Sequence, residues 1–218
     1  MSRPRPVTRN PDRTRRRILT AAVNLFARRG LHAVSVDEIV AQARVNKRMV
    51  YHYFGSKEAL FKAALVEVYS RIERVEFDAF EGGTSPAGKL ERLLEGYFAF
   101  LEAEPAFTRM LQWENLEKGR HLSNDGHVLS KSPFFVRFRK IVEDGIAGGD
   151  FRRDLDVTHL LIHFIGLSSI YSSNRFTLSR GLGLDLADPR VKAEGLKHVL
   201  KLVFDGITSQ GPVARGRG

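Results

Sequence analysis

Apolar residues recur every three or four positions along most of the chain, the period of an amphipathic α-helix. This pattern predicts nine helices, which begin near residues 11, 36, 47, 57, 86, 105, 133, 157 and 189. Four of them open with a capping residue followed by proline, because proline is well tolerated in the first turn of a helix: Asn10-Pro11, Ser85-Pro86, Ser132-Pro133 and Asp188-Pro189. No stretch alternates apolar and polar residues as a strand does, so the sequence predicts an all-α fold.

Two short helices joined by a tight turn are predicted between residues 35 and 54. Ser35 followed by Glu38 fits a capping box at the start of the first helix. Arg44 and Val45 form the turn, and Asn46 caps the second helix, which carries basic and polar residues. This is the arrangement of a helix-turn-helix, whose second helix enters the major groove of DNA.

The distribution of charge changes the meaning of the net charge of +10. Residues 1–57 hold 13 of the 35 Lys and Arg residues of the 218-residue chain and 3 of its 25 Asp and Glu residues. Residues 58–218 hold 22 basic and 22 acidic residues. The whole positive excess therefore lies on the helix-turn-helix segment and the residues before it. This segregation predicts double-stranded DNA as the partner.

Other features of the sequence limit the classes of protein. The chain has no cysteine, which excludes disulfides and suits a reducing cytoplasm. The longest apolar-rich run, residues 160–170, is far shorter than the ~20 residues of a membrane span, so no membrane partner is expected. Residues 1–10 are predicted to be a flexible basic arm, which either reaches DNA or only aids solubility, and residues 211–218 a flexible tail.

The run Val36–Leu60, VDEIVAQARVNKRMVYHYFGSKEAL, resembles the DNA-binding region of the TetR family of bacterial transcriptional regulators. The most specific part is Tyr51-His52-Tyr53-Phe54 followed by Ser56-Lys57-Glu58-Ala59-Leu60. The family commonly has glycine at the turn position that Arg44 holds here. A left-handed backbone at a residue other than glycine costs about 1–2 kcal/mol. Either the turn differs in this chain, therefore, or Arg44 contacts a DNA phosphate.

The resemblance implies a DNA-binding domain over residues 11–57, with its motif at 35–54. Arg48 is suited to bidentate contacts with guanine, and Lys47 can reach a base or a phosphate. The resemblance implies phosphate contacts for Tyr51, His52 and Lys57, and a core role for Tyr53 and Phe54. The predicted DNA-binding set is Ser35, Arg44, Asn46, Lys47, Arg48, Tyr51, His52 and Lys57.

Residues 58–210 are predicted to form a helical ligand-binding and dimerisation domain. The helices predicted at 157–179 and 191–207 are apolar on more than one face, which indicates burial or a partner. In proteins that resemble this one, the last two helices pair with those of a second subunit in a four-helix bundle. The predicted homodimer interface comprises Leu167, Ile170, Leu196, Val199, Leu200, Val203 and Phe204.

Aromatic residues at helical spacing in the same domain could line a pocket for a small-molecule effector, although such residues more often form plain core. The predicted ligand-binding set is Tyr97, Phe98, Met110, Trp113, Phe138, His163, Phe164 and Tyr171. The run from Trp113 to His121 also resembles one subgroup of TetR regulators, without naming an effector. No cofactor is expected.

Three classes of function remain to be compared. The first is a homodimeric repressor that a small molecule releases from a near-palindromic operator. The second is a non-specific architectural DNA-binding protein, which would not need about 150 residues of neutral helical domain. The third is a metal-dependent hydrolase that uses His159 and His163, which share a helix face; no Glu follows His159 and no Cys exists, so a metal site is not favoured.

Overall fold

The computed structural model describes residues 11–81, 85–122 and 133–209, which fold into ten helices. Within these ranges a single antiparallel bridge, Phe151 to Thr208, is the only strand-like pairing. The all-α prediction is therefore confirmed. The helices are α1 Pro11–Arg29, α2 Val36–Ala43, α3 Lys47–Phe54, α4 Lys57–Glu81, α5 Pro86–Ala103, α6 Pro105–Leu116, α7 Pro133–Gly148, α8 Val157–Ser173, α9 Arg175–Leu182 and α10 Pro189–Ile207.

Side-chain caps set the beginnings of α5, α8 and α10, and those at Ser85 and Asp188 are predicted by the sequence. The Oγ of Ser85 accepts the N–H of Gly88 at 3.1 Å at the start of α5. Asp156 and Asp188 cap α8 and α10 in the same way, each with a 2.8 Å bond. Asn10, Ser132, the predicted arm and the predicted tail lie outside the described residues.

The prediction of one helix over residues 157–179 is wrong, because the structure breaks it at Asn174. Asn174 leaves helical geometry, with φ −108° and ψ 14°, and its side-chain oxygen accepts the hydroxyl of Ser173 at 2.7 Å. Serine and asparagine hydrogen-bond to nearby groups in competition with the helix, so they favour its ends. The sequence offered no glycine or proline here, which is why the apolar period seemed to continue.

The chain divides into two compact units. Of the described residues, the first unit comprises 11–70 and 109–122, and the second comprises 71–81, 85–108 and 133–209. The division falls inside α4 and inside α6, so each of these helices contributes residues to both units. It differs from the predicted boundary at 57/58, since the first half of α4 and the second half of α6 belong with the helix-turn-helix.

Fully buried side chains from α1, α2, α3 and α4 form the core of the first unit. Phe26 and Phe61 meet edge to face with their ring centroids 5.1 Å apart. The ring of Trp113, on α6, covers Gly30, where a Cβ atom would lie 2.7 Å from two ring carbons. Gly30 also has φ +71°, so glycine is required there for both space and backbone conformation. The largest fully buried side chains of this core are Ile18, Phe26, Ile39, Leu60, Phe61 and Leu65.

The second unit has its own core between α5, α7, α8 and α10, centred on Leu94, Phe138 and Phe164. Two glycines allow close approaches within it. A Cβ at Gly145 would lie 2.2 Å from the buried ring of Phe151, and one at Gly195, on α10, would lie 2.5 Å from the ring of Tyr171, on α8. None of the helices described here is long and apolar enough to cross a membrane.

Candidate nucleic-acid interface

The capping box predicted at the start of α2 is present. The Oγ of Ser35 accepts the N–H of Glu38 at 3.2 Å, and the carboxylate of Glu38 accepts the N–H of Ser35 at 2.8 Å. Arg29, at the end of α1, pairs with the same carboxylate at 2.6 Å. The N–H of Ser35, and then Arg29, lower the pKa of Glu38 to about 2. These bonds fix the start of α2 relative to the end of α1.

The turn between α2 and α3 has the left-handed backbone that glycine usually adopts. Arg44 has φ 51° and ψ 51°, a left-handed backbone. The N–H of Val45 bonds to the carbonyl of Val40 at 3.1 Å, and the N–H of Arg44 bonds to that of Ala41 at 3.2 Å. This pair of bonds is a Schellman motif, in which glycine usually occupies the place of Arg44. The arginine therefore holds a backbone that costs about 1–2 kcal/mol more than it would for glycine.

One face of α3 is fixed to the core and the opposite face is exposed. The side chain of Asn46 accepts the N–H of Arg48 at 2.9 Å, which confirms the predicted cap. Val50 is fully buried. Tyr53 and Phe54 are half-buried, as expected of supporting residues, and the guanidinium of Arg15 lies 5.2 Å above the Phe54 ring. The exposed side chains of α3 are Lys47, Arg48, Tyr51 and His52.

Two of the predicted DNA-binding cations are already engaged within the protein. Lys47 pairs with Asp37 at 2.9 Å, and this hydrogen-bonded ion pair raises the pKa of Lys47. Lys57 is partly buried and donates its ammonium to the carbonyl of Val34 at 3.2 Å, so it also braces the chain before α2. Arg48, by contrast, is exposed, and its guanidinium makes no hydrogen bond or ion pair with the described part of the chain.

A buried carboxylate in the first unit was not singled out by sequence analysis. Glu114, on α6, is 2% exposed and accepts the N–H of His121 at 2.6 Å and that of Leu122 at 3.1 Å. The Nδ1 of His121 lies 2.8 Å from the same carboxylate, and its ring meets Phe61 edge to face at 4.9 Å. Glu114 therefore folds the turn after α6 onto α4. The spacing of Glu114 and His121 in the run from Trp113 was the only signal in the sequence.

The structure separates the predicted ligand-binding residues. The rings of Tyr97 and Phe138 lie 5.9 and 5.8 Å from that of Phe164 in the second unit, and Phe98 lies 5.3 Å from Tyr171. Met110 and Trp113 belong instead to the first unit, because residues 109–122 pack with it and Trp113 covers Gly30. We therefore restrict the candidate pocket to the residues of the second unit.

His163 also falls outside the aromatic cluster, since it is exposed on the outer face of α8. Its ring lies 6.4 Å from that of His159. In the described ranges no three His, Cys, Asp or Glu side chains are grouped to hold a metal ion.

Two of the predicted dimer-interface residues are corrected by the structure. Val199 and Val203 are 5% and 6% exposed and lie in the core of the second unit, because they are on the face of α10 that points inward. Leu167, Leu196, Leu200 and Phe204 are half-buried at the edge of that core, and Ile170 is exposed. Ile162 on α8 and Leu202 on α10 are exposed apolar residues that the sequence analysis missed.

Both parts of the chain match models of one protein family. Residues 18–64 match bacterial regulatory proteins of the tetR family, and residues 86–203, more than half of the chain, match the tetracyclin repressor-like C-terminal domain. The chain belongs to the TetR family. The helix-turn-helix described above is therefore the DNA-binding motif of a transcriptional regulator of this family.

Individual relatives agree with this assignment. The transcriptional repressor NicS of Pseudomonas putida is 36% identical over 197 residues, which cover 90% of this chain and 93% of that protein. The repressor SCO4008 of Streptomyces coelicolor is 31% identical over 164 residues, 74% of this chain and 79% of that one. These names indicate regulators rather than enzymes.

Solved structures of the family share the fold. The ketosteroid transcriptional regulator KstR2 of Mycobacterium tuberculosis superposes with a TM-score of 0.63 at 23% identity, over 89% of this chain and 96% of that one. A tetR family regulator from Shewanella sp. PV-4 superposes with a TM-score of 0.70 at 15% identity, over 90% and 99% of the two chains. At these identities the likeness concerns the fold alone.

Proposed function

We propose that this TetR-family regulator is a homodimeric repressor, released from a near-palindromic operator by a small molecule that binds in the second unit. The observation that carries the DNA-binding part is the presentation of α3. Its buried face is fixed by Val50, and its exposed face presents an uncommitted arginine, Arg48. Repression is supported by NicS and SCO4008, both of which are named repressors.

Arg48 is the base-reading residue of this proposal. Arg48→Ala should cost about 1–3 kcal/mol in operator affinity for each half-site and relax specificity at one base pair of each half-site, because a bidentate contact to guanine is lost. The operator is first obtained by selecting duplexes from a random pool with the wild-type protein. Fluorescence anisotropy at one fixed salt concentration then measures the affinity for the selected duplex and for a scrambled duplex.

Arg28→Ala is the matched control for the change of charge, since Arg28 is an exposed arginine at the far end of α1. It should leave the ratio of the two affinities unchanged. An equal loss on both duplexes for Arg48→Ala would show that this residue does not read a base.

The homodimer is supported by apolar side chains that the single chain leaves exposed on its last long helices. Ile162 and Ile170 on α8 and Leu202 on α10 are 56%, 40% and 61% exposed. Gly166, on the same outer face of α8, has open space at its Cβ position, which would allow a partner helix to approach closely. In a dimer, two helix-turn-helix motifs one turn of DNA apart, ~34–36 Å, would match a near-palindromic operator.

Ligand release is supported by a cavity of about 380 Å³ in the second unit, lined by Tyr171 of α8, Leu178 of α9 and His198 of α10 among others, and by α4, which contributes to both units. An effector bound in the second unit can weaken DNA binding only by its different affinity for the two arrangements of the protein. A hundredfold loss of operator affinity corresponds to about 2.7 kcal/mol of coupling, within the usual allosteric range.

The effector and the operator are expected to weaken each other's binding by the same factor. A small molecule that co-purifies with the protein, identified by mass spectrometry, should bind less tightly in the presence of saturating operator. The factor should equal that by which the molecule weakens operator binding, because coupling is mutual. Isothermal titration with and without the selected duplex measures it; an unchanged ligand affinity would contradict ligand release.

A further inference from the structure

The end of α2 differs from other helix ends of the first unit in the residue that holds a positive φ. The helices on either side of it, α1 and α3, end at Gly30 and Gly55, with φ +71° and +78°. At the end of α2 a positive φ, +51°, is held instead by Arg44. The side chain of Arg44 is exposed and forms no hydrogen bond or ion pair with the residues that the structure describes. The fold therefore gains nothing visible from an arginine at a position that glycine would fill without strain.

A second arginine is fixed at the same turn. One terminal nitrogen of the Arg17 guanidinium, on α1, donates to the carbonyl of Arg44 at 3.0 Å. A guanidinium carries five N–H donors, so most of those of Arg17 remain available. The contact holds the planar group of Arg17 beside the backbone that carries Arg44.

Neighbouring carboxylates do not neutralise this pair of arginines. Asp37 is paired with Lys47, and Glu38 is paired with Arg29 and closes the capping box. Arg44 on the turn before α3 and Arg17 beside it thus present two exposed guanidinium groups without an acidic partner in the described residues. Guanidinium groups bind phosphate oxygens in a planar, bidentate way that an ammonium cannot reproduce.

We propose that Arg17 and Arg44 form a clamp for one phosphate of the operator backbone, beside the groove that α3 enters. Arg44 supplies one guanidinium from the turn, and Arg17 supplies the other while its bond to the Arg44 carbonyl keeps the two together. The strained backbone is retained because glycine would leave the clamp with one arm. The inference rests on the DNA-binding function proposed above and assigns a phosphate site outside the recognition helix.

Arg44→Gly separates DNA binding from folding. The melting temperature should rise, because glycine relaxes the left-handed backbone. Affinity should fall on the selected and the scrambled duplex alike, by about tenfold for each subunit's contact, since a charge-assisted contact to the sequence-independent backbone is lost. The slope of log affinity against log salt should also become shallower by about 0.9 for each subunit's phosphate, which is about 1.8 for the dimer.

The chain offers a matched control in Lys118→Gly. Lys118 has φ +59° and occupies the same position of a second Schellman motif. In that motif the N–H of Gly119 bonds to the carbonyl of Glu114, and the N–H of Lys118 bonds to the carbonyl of Asn115. The two variants thus remove the same charge and relax the same backbone conformation. Lys118→Gly should raise the melting temperature and leave affinity and salt slope unchanged.

The clamp also predicts coupling between its two arms. Arg17→Ala alone should weaken both duplexes, and Arg17→Ala with Arg44→Gly should lose less than the two single losses together, because both act on one phosphate. The clamp would be overturned if the losses of binding free energy in the double variant were additive, or if Arg44→Gly kept the wild-type affinity and salt slope. Either result would leave the proposed function intact as long as the wild type prefers its selected duplex. A wild type without that preference would instead overturn the proposed function and the clamp with it.

Discussion

Ile162→Glu should split the homodimer and lower affinity for the selected duplex at least a hundredfold. Ile162 is 56% exposed on the outer face of α8, so the charge does not disturb the core of its own subunit. In a dimer the same charge would be buried without a partner, which is strongly unfavourable. Loss of the second helix-turn-helix motif also removes the gain of about 10²–10⁴ that two linked contacts give. Sedimentation or light scattering gives the mass, and anisotropy gives the affinity.

Val136→Glu provides the control for this experiment, since Val136 is an apolar residue on α7 with a similar exposure of 57%. It should remain a dimer with unchanged DNA affinity. A wild type that is monomeric at micromolar concentration, or an Ile162→Glu protein that stays dimeric, would remove α8 from the interface.

Replacing Glu114 by Ala should lower the free energy of unfolding of the first unit by roughly 2–4 kcal/mol. The substitution leaves the N–H groups of His121 and Leu122 and the ring of His121 without their common acceptor. Buried donors that lose their acceptor cost about 1–3 kcal/mol each. Urea unfolding followed by the fluorescence of the single tryptophan, Trp113, reports on this unit directly because Trp113 belongs to it.

Glu117→Ala is the control on the same turn. Glu117 pairs with His32 at 2.9 Å and with Arg120 at 2.7 Å near the surface. Surface pairs of this kind contribute about 0–1 kcal/mol, so the loss should be small. Equal losses for the two variants would show that the buried carboxylate does not stabilise the turn after α6.

The sequence predicts best those features that neighbouring residues determine. The structure contains the capping box of Ser35 and Glu38 and the cap at Asn46, both predicted from local chemistry. The left-handed turn at Arg44 could be suspected because glycine was expected there. The break at Asn174 was missed because an asparagine is compatible both with a helix end and with an exposed helix position.

The sequence predicts poorly which distant residues meet. The period of α10 does not distinguish its inward face, with Val199 and Val203, from a face that meets another subunit. Trp113 has the spacing of a pocket residue, and only the packing shows that it covers Gly30. The bond from Arg17 to the Arg44 carbonyl joins residues 27 positions apart and leaves no local pattern.

The most direct test of the account is methylation interference at guanine N7, measured with the wild-type protein on its selected duplex. Since N7 lies in the major groove, the account predicts two clusters of interfering guanines, related by twofold symmetry and about one helical turn apart. Interference at one guanine of each cluster should disappear with Arg48→Ala. Binding that is insensitive to N7 methylation, or a single asymmetric cluster, would contradict a dimer that reads the major groove through α3.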